Sequence, residues 1–249
     1  MERLKGRTAL VTGGTAGIGL ATAQRFAAEG AYVFVTGRGQ DALDAAVASM
    51  GRSATGIRGD VSDREGLDRV MDAVRAHGSG LDVLVANAGG GTFARLEEVT
   101  YEDFTATVNS NIGGTLFTVQ KALPLLNDGA SVVVIGSTEA TQGTPAFGLY
   151  AASKAAIRSL ARTWSNELVD RRIRVNTLVP GPTRTPGIEK LATGPGEEEA
   201  LMAQLAVGVP MRRMADPAEI ANVALFLASD ESSFMTGSEV FADGGVTQR

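Results

Sequence analysis

Tyr150 and Lys154 stand four residues apart in a stretch whose apolar pattern predicts a helix. Residues at this spacing share one helix face, so the two side chains are expected to lie side by side. A free phenol has a pKa of about 10, and an ammonium about 4 Å away favours the phenolate by about 4 kcal/mol at an effective dielectric constant of about 20. That energy lowers a pKa by at most roughly three units. The pair predicts a phenol tuned for general acid–base catalysis; a half-buried tyrosine beside a solvated lysine is the alternative.

Ser137 lies thirteen residues before Tyr150, where a predicted strand ends. A hydroxyl fixed at a strand end can orient and polarise a substrate oxygen on which charge develops. The serine, the tyrosine and the lysine can act together only if the fold brings a strand end against the start of a helix.

Short apolar runs, separated by helical patterns, predict the strands of such a fold. Several runs are β-branched and unbroken by polar residues, as in parallel strands that are covered on both faces. Helix starts are expected at Ser62 and Asp216, each of which precedes an acidic residue by three positions. The pattern predicts one α/β domain over residues 1–249, a Rossmann-type doubly wound sheet of about seven parallel strands with helices on both faces. The predicted strands are residues 8–12, 31–36, 54–58, 81–86, 131–136, 173–179 and 238–241.

One segment departs from this rhythm. Residues 180–210 contain five prolines and several glycines, together with the acidic run at 197–199. Long loops in compact domains are usually functional or disordered. Because the segment follows the predicted sixth strand, we expect a substrate lid or loop at about 182–212.

A glycine-rich turn follows the first predicted strand. Glycines allow a tight turn and close approach of the backbone, and the N-terminus of the helix that follows offers free N–H groups to a pyrophosphate. The spacing Gly-x-x-x-Gly-x-Gly differs from the common dinucleotide fingerprint, and a purely structural turn is the alternative. The candidate binding residues are Gly13, Thr15, Ala16, Gly17, Ile18 and Gly19.

The end of the second strand indicates which dinucleotide would bind. An NAD-selective site normally places an acid here for the ribose 2′-hydroxyl, but this chain has Gly37 followed by Arg38. The arginine fork suits a 2′-phosphate, so NADP(H) is expected and NAD(H) is less favoured. A solvated surface arginine is the alternative.

The ends of the third and fourth strands would border the same crevice. Asp60 could accept a hydrogen bond from an adenine amine while Val61 packs on the ring, and a helix-capping role for Asp60 fits equally well. Asn87, Ala88 and Gly89 follow the fourth strand and are candidate cofactor residues.

Taken together, these motifs resemble the short-chain dehydrogenase/reductase family. The resemblance runs from Arg7 to the closing Asp243-Gly244-Gly245, and it is that of an NADP-preferring carbonyl or 3-oxoacyl reductase. The residues that carry it are Thr12-Gly13-x-x-x-Gly17-Ile18-Gly19, Asn87-Ala88-Gly89, Ser137, Tyr150-x-x-x-Lys154 and Pro180-Gly181. Two departures are mild: Ala86 replaces the first asparagine of the family's Asn-Asn-Ala-Gly, and Gly136 replaces the first serine of its Ser-Ser.

The resemblance implies reversible hydride transfer between NADP(H) and a carbonyl compound or secondary alcohol. Tyr150 would be the general acid and base, with Ser137 on the same substrate oxygen and Lys154 on the nicotinamide ribose. Of two nearby asparagines, Asn111 rather than Asn109 matches the family's catalytic asparagine by spacing. It would hold a water in a proton relay, or alternatively kink or cap a helix.

The resemblance also implies further cofactor contacts after the sixth strand and an assembly. Pro180, Gly181, Thr183 and Thr185 would receive the carboxamide and pyrophosphate, or else form an ordinary turn. Family members usually form dimers or tetramers, so a homo-oligomer, most simply a homotetramer, is expected.

Composition excludes several other classes of protein. No Cys and a single His exclude thiolate zinc sites, iron–sulfur clusters and multi-histidine sites, so no metal is expected. The net charge of −5 argues against nucleic acid and anionic membranes as partners. The first residues lack an apolar run of signal-peptide length, so a cytoplasmic location is expected. A 3-oxoacyl-[acyl-carrier-protein] reductase and a non-catalytic NADP-binding sensor are the alternative functions.

Overall fold

The structure is a computed structural model that describes residues 2–192, 194 and 196–248. Within this part of the chain, seven strands form one sheet in the order β3-β2-β1-β4-β5-β6-β7, and every neighbouring pair is parallel. The predicted Rossmann-type sheet in a single domain is confirmed. The strands are β1 (Thr8–Val11), β2 (Tyr32–Gly37), β3 (Ala54–Arg58), β4 (Leu81–Ala86), β5 (Leu126–Ile135), β6 (Arg174–Pro180) and β7 (Glu239–Ala242).

Helices connect the strands and cover both faces of the sheet. They are α1 (Gly17–Ala28), α2 (Gln40–Met50), α3 (Arg64–His77), α4 (Tyr101–Thr107), α5 (Gly114–Ala122), α6 (Gly148–Glu167), α7 (Pro186–Glu189), α8 (Glu198–Val207) and α9 (Pro217–Ala228). A π-helical segment, Val108–Gly113, joins α4 to α5. No helix among the described residues is long and apolar enough to cross a membrane.

Alternation along the strands divides the apolar residues into two cores. On β1, Ala9 and Val11 pack with Phe26 of α1 and Leu225 of α9 on one face. Leu10 points the other way and belongs to the core that α3, α5 and α6 complete. Because side chains alternate along a strand, a strand buried on both faces must be apolar throughout, as these short runs are.

The strand order fixes where a ligand can bind. From β1 the chain moves outward to β2 and β3, and then crosses back to place β4 on the other side of β1. The connections after β1 and β4 therefore leave in opposite directions, which opens a crevice at the carboxyl ends of these two strands.

One local expectation, the start of a helix at Ser62, was wrong. The residue that caps α3 is Asp63 rather than Ser62, because its carboxylate accepts from the backbone N–H groups of Glu65 and Gly66. The segment at about 182–212, expected to form a substrate lid or loop, contains α7 and α8, and its role as a lid stays a prediction. An ion pair between Arg184 and Glu199 links the two parts of this segment. Its residues 193 and 195, and residues 1 and 249 of the predicted domain, lie outside the described residues.

Candidate active site

The structure brings the four predicted catalytic residues to the carboxyl end of the sheet. Ser137 follows β5, Tyr150 and Lys154 occupy the first part of α6, and Asn111 comes from the π-helical segment. The Ser137 hydroxyl lies beside the Tyr150 phenol and acts on it as a hydrogen-bonding neighbour that lowers its pKa. Two hydroxyl groups from different elements therefore meet at one point, where a single substrate oxygen could contact both.

Packing holds the ring of Tyr150 in place. Phe147 stacks on it with ring centroids 4.5 Å apart. Gly91 covers the ring edge so closely that a Cβ at this position would lie 2.7 Å from Tyr150 Cδ2. Gly91 is not among the predicted catalytic or cofactor residues, although it belongs to a run of three glycines after Ala88.

The pKa of Tyr150 differs from the prediction. Burial raises the pKa above its usual value, the hydrogen bond with Ser137 opposes this change, and the negative charge of Glu139 adds to it. The prediction that Lys154 lowers the pKa of Tyr150 is therefore wrong for the protein chain by itself. The reason is geometric: Lys154 Nζ lies 5.6 Å from the centre of the ring and donates to the carbonyl oxygen of Ile135.

Lys154 is itself an unusual buried cation. Its side chain is 4% exposed, and burial lowers its pKa from 10.5 to about 8. The Lys154 ammonium donates a 2.8 Å hydrogen bond to the Ile135 carbonyl oxygen. Among the described residues, Lys154 takes part in no salt bridge. The alternative of a solvated lysine is wrong; two further N–H groups of the ammonium are available to a ligand.

Asn111 is fixed on both sides of its amide. Its Nδ2 donates to the Gly90 carbonyl at 2.8 Å and to Ser153 Oγ at 2.9 Å, while its Oδ1 accepts from the Gly90 N–H at 3.1 Å. Asn111 is buried, whereas Asn109 is exposed. The structure therefore places Asn111 in the site, where its side chain positions the glycine segment, and the helix is distorted there as the alternative reading proposed.

The glycine turn after β1 is tight because neighbouring backbone leaves no room for side chains. Gly13 has φ +64°, and a Cβ there would lie 3.0 Å from Ala88 Cα. A Cβ on Gly19 would lie 2.2 Å from the Gly13 carbonyl oxygen. Helix α1 then begins at Gly17 after Ala16, which provides no side-chain cap, so its first N–H groups stay available.

Asn87 and Thr12 tie this turn to β4. Asn87 Nδ2 donates to the carbonyl oxygens of Thr12 and Gly13 at 2.9 and 3.1 Å. The Thr12 hydroxyl accepts from the backbone N–H groups of Asn87 and Ala88, each at 3.1 Å. The Asn87 side chain thus shapes the turn, with Gly89 beside it at the end of β4.

The residues after β6 close the other side of the crevice. Gly181 packs so tightly on Asp243 that a Cβ would lie 2.7 Å from the Asp243 Cα. Thr183 donates to the Gly181 carbonyl at 2.9 Å, which supports the predicted turn after Pro180. Thr185 caps α7, and its Cγ2 would lie 3.1 Å from a Cβ on Gly17, so this threonine reaches the glycine turn.

A cationic corner lies at the end of β2. Arg38 is exposed, and its carbonyl accepts a 3.1 Å hydrogen bond from Arg58 Nε. Strand register places Gly37 beside Arg58, and a Cβ on Gly37 would lie 2.4 Å from Thr15 Cγ2. Arg58 was not predicted, because the pairing of β2 with β3 brings it to this corner.

Asp60 and Val61 lie next to this corner. Asp60 Oδ1 accepts from the backbone N–H and the hydroxyl of Ser62 at 2.9 and 2.7 Å. Burial acts to raise the pKa of Asp60, but these bonds and the charge of Arg38 outweigh it and keep the pKa below its usual value. The helix-capping alternative for Asp60 is wrong, since Asp63 caps α3.

The residues present fit a dinucleotide phosphate cofactor. The backbone of the glycine turn leaves a cradle that a Cβ would fill, the first N–H groups of α1 have no side-chain cap, and Arg38 and Arg58 stand at the end of β2. A buried ammonium with free N–H groups stands at the other end, beside the paired hydroxyls.

Comparisons with known proteins agree with this geometry. The family model described as Enoyl-(Acyl carrier protein) reductase matches residues 13–247. The chain is 46% identical to Oxidoreductase asL5 of Sarocladium schorii, over 100% of this chain and 98% of that protein. It is 36% identical to an NADP-dependent (R)-specific alcohol dehydrogenase of Lentilactobacillus kefiri, over 99% and 98%. A crystal structure of a short-chain type dehydrogenase/reductase from Mycobacterium marinum superposes with a TM-score of 0.91 at 31% identity and covers 100% of this chain and 98% of that one.

The parallel sheet, the glycine cradle, the Ser-Tyr-Lys cluster and these matches over almost the whole chain lead to one conclusion: the protein is an oxidoreductase that belongs to the short-chain dehydrogenase/reductase family.

Proposed function

We propose that the protein reduces carbonyl compounds with NADPH and that Tyr150 gives the proton to the substrate oxygen. The observation that supports this most strongly is that the hydroxyls of Ser137 and Tyr150 lie next to each other, beside buried Lys154. When bound, NADPH supplies a hydride to the carbonyl carbon.

The protonation state of Tyr150 favours the reductive direction. Because its pKa lies above the usual value, the phenol keeps its proton at neutral pH and can give it to a developing alkoxide. Ser137 donates a hydrogen bond to the same oxygen and stabilises the charge that develops there. Oxidation of an alcohol would need the phenolate, which is scarce at neutral pH.

Lys154 and Asn111 would support this step by position. The free N–H groups of Lys154 are suited to the ribose hydroxyls of the cofactor, which would hold the ammonium near the phenol. Asn111 Oδ1 and Lys154 Nζ both face Gly89, at 2.9 and 3.8 Å from the point where a Cβ would lie. Asn111 would hold a water that continues a proton relay from Tyr150 through Lys154 to solvent.

NADP(H) would be held by the residues predicted for it. The 2′-phosphate would lie between Arg38 and Arg58, and the pyrophosphate would lie on the N–H groups of the glycine turn. The remaining contacts would come from Asp60 and Val61 at the adenine and from Pro180, Gly181, Thr183 and Thr185 at the nicotinamide end. Residues 182–212 would form the lid over the substrate.

A 3-oxoacyl-[acyl-carrier-protein] reductase is the second candidate, because the chain is also 38% identical to such a reductase of Thermotoga maritima, over 98% of this chain and 99% of that protein. Carrier proteins are acidic, and the run Glu197-Glu198-Glu199 on the predicted lid would repel one. Small ketones are therefore the favoured substrates. The assembly as a homotetramer and the cytoplasmic location stay predictions.

Spectrophotometry of reduced nicotinamide tests the proposal. Purified protein is mixed with NADPH or NADH and a panel of aliphatic ketones, aryl ketones and acetoacetyl thioesters. We expect NADPH to be consumed with ketones, and faster than NADH. Consumption with thioesters alone would support the second candidate. Tight NADPH binding without turnover on any member would contradict both and support the sensor function.

A further inference from the structure

Glu139 carries a carboxylate next to the paired hydroxyls. It lies two residues after Ser137, in the 3₁₀ turn Thr138–Thr141, and its backbone N–H donates to Ser137 Oγ at 3.2 Å. This bond fixes the start of the Glu139 side chain against the serine that would contact the substrate. Glu139 is not among the predicted catalytic or cofactor residues.

One oxygen of this carboxylate lacks a hydrogen-bond partner. Within the described part of the chain, Glu139 Oε2 is buried and accepts no hydrogen bond. The carboxylates of Asp60 and Asp63, by contrast, each accept two. Buried carboxylate oxygens are normally hydrogen-bonded because their desolvation is otherwise uncompensated. An orphaned one at a catalytic centre indicates a donor that arrives with the ligand.

The charge of Glu139 also affects the Tyr150 phenol. Its negative charge contributes to the raised pKa of Tyr150, so the carboxylate is electrostatically coupled to the phenol. A substrate whose oxygen lies between Ser137 and Tyr150 would therefore place its neighbouring carbons close to Glu139.

We propose that Glu139 selects carbonyl substrates that carry a hydrogen-bond donor, a hydroxyl or an ammonium group, on a carbon next to the carbonyl. The inference rests on the proposed function and names its substrate class. The same carboxylate disfavours ketones that carry a carboxylate at this place, because like charges would meet in a buried site.

A matched set of ketones tests the inference. Propiophenone, 2-hydroxyacetophenone and protonated 2-aminoacetophenone differ only in a methyl, hydroxyl or ammonium group beside the carbonyl; butan-2-one, hydroxyacetone and aminoacetone repeat the series on a smaller frame. We expect kcat/KM with NADPH to be at least about tenfold higher for the hydroxyl or the ammonium than for the methyl, as befits a hydrogen bond to a charged group. Equal or lower values for both donors would overturn the inference.

Substitutions of Glu139 test whether this residue causes the preference for ketones that carry a hydrogen-bond donor. Glu139→Leu should invert the preference, because the methyl ketone gains an apolar neighbour and the donors lose their acceptor. Glu139→Gln keeps an acceptor without the charge, so it should lose the ammonium preference more than the hydroxyl preference. The control Glu167→Leu, at the exposed far end of α6, should keep the wild-type preference. A preference that survives in Glu139→Leu would contradict the inference.

Binding separates this inference from the proposed function. Calorimetric titration of the same ketones into the protein with NADP+ measures recognition without turnover. Selective binding of the donor ketones by the wild type, lost in Glu139→Leu, would support the inference even if no ketone consumed NADPH. Turnover of ketones without any donor preference would support the function and reject the inference.

Discussion

The crevice has two halves, the glycine turn before α1 and the catalytic half around Ser137, Tyr150 and Lys154, and the polar groups of the two halves are bonded differently. In the glycine turn, the amide of Asn87 and the hydroxyl of Thr12 find their partners inside the protein, at 2.9 to 3.1 Å. In the catalytic half, among the residues that the structure describes, the ammonium of Lys154 has a single carbonyl partner and one oxygen of Glu139 has none. In the first half the side chains are bonded within the protein and the uncapped N–H groups at the start of α1 are left for a ligand, whereas the second half carries buried charge that a ligand would satisfy.

The unsatisfied groups of the catalytic half lower the stability of the fold at the place where the proposed reaction occurs. Burial shifts both Tyr150 and Lys154 toward their neutral forms. Groups held away from their ordinary charge states cluster at functional sites, and the cost is borne by the rest of the fold. Substitutions in either half test this difference.

The largest effect is expected from Tyr150→Phe. Loss of the phenol removes the proposed proton donor, which typically contributes about 10²- to 10⁴-fold to a rate. Turnover of a ketone with NADPH should fall by that factor, while the NADPH dissociation constant from fluorescence titration should change by less than about twofold. Turnover close to that of the wild type would mean that another group supplies the proton.

In the half formed by the glycine turn, Gly19→Ala should destabilise the protein. Its Cβ would lie 2.2 Å from the Gly13 carbonyl oxygen and 2.5 Å from Asn87 Nδ2. We expect the free energy of unfolding to fall by about 1–3 kcal/mol, as for other overpacked sites, and NADPH affinity to fall with it. The control is Gly39→Ala, which would meet nothing within 4 Å at φ −93°. Denaturant titration of both should separate them; equal stabilities would show that the turn is not tight.

In the catalytic half, Lys154→Met should stabilise the protein while it removes activity. Because burial lowers the pKa of Lys154 from 10.5 to about 8, the charged lysine destabilises the folded state by roughly 3 kcal/mol. Loss of the hydrogen bond to the Ile135 carbonyl lowers the free energy of unfolding by about 1 kcal/mol. The free energy of unfolding at pH 7 should thus rise by about 2 kcal/mol.

The sign of the pH dependence follows from the lowered pKa. Below pH 8 the lysine is charged in both the folded and the unfolded states, so the cost is fully present. Between about 8 and 10.5 the unfolded state binds more protons, so the wild type gains stability and the advantage of Lys154→Met should disappear. The control Lys190→Met, at an exposed position, should show neither effect. A destabilised Lys154→Met at pH 7 would contradict the account.

The smallest effect is expected at the cationic corner. Arg58→Gln removes a charge and the bond to the Arg38 carbonyl, so NADP+ affinity should fall by about threefold to tenfold, as expected for one exposed ion pair and one hydrogen bond. NAD+ affinity should change less. Calorimetry with both cofactors measures this, with Arg52→Gln in an exposed turn as the control. Equal losses for the two cofactors would remove Arg58 from the proposed phosphate site.

Sequence patterns predicted the framework well where the strands are short and apolar. The predicted bounds of β3 and β4 are those observed, whereas β5 begins at Leu126 rather than at residue 131. Polar residues of β5, Asn127 to Gly129, hid its start, since no apolar pattern marks a strand end that is exposed. Helix α8 was missed because its apolar residues follow no clear helical period and prolines surround it.

The site was predictable in its residues but not in its electrostatics. Spacing placed Ser137, Tyr150 and Lys154 together, because helix periodicity and strand ends are local properties. The pKa of Tyr150 depends on burial and on where Lys154 points, and both are set by tertiary packing. Glu139 was missed for the same reason.

Titration of the Tyr150 phenol tests the central claim that the protein alone leaves its catalytic half electrostatically unsatisfied. The difference in tyrosinate absorbance between the wild type and Tyr150→Phe cancels the other two tyrosines of the chain, Tyr32 and Tyr101. Without cofactor, we expect the difference signal to appear only above pH 10, the ordinary value for the phenol, because burial raises its pKa. A phenol that titrates near neutral pH without any ligand would contradict the account and restore Lys154 as the group that makes it acidic.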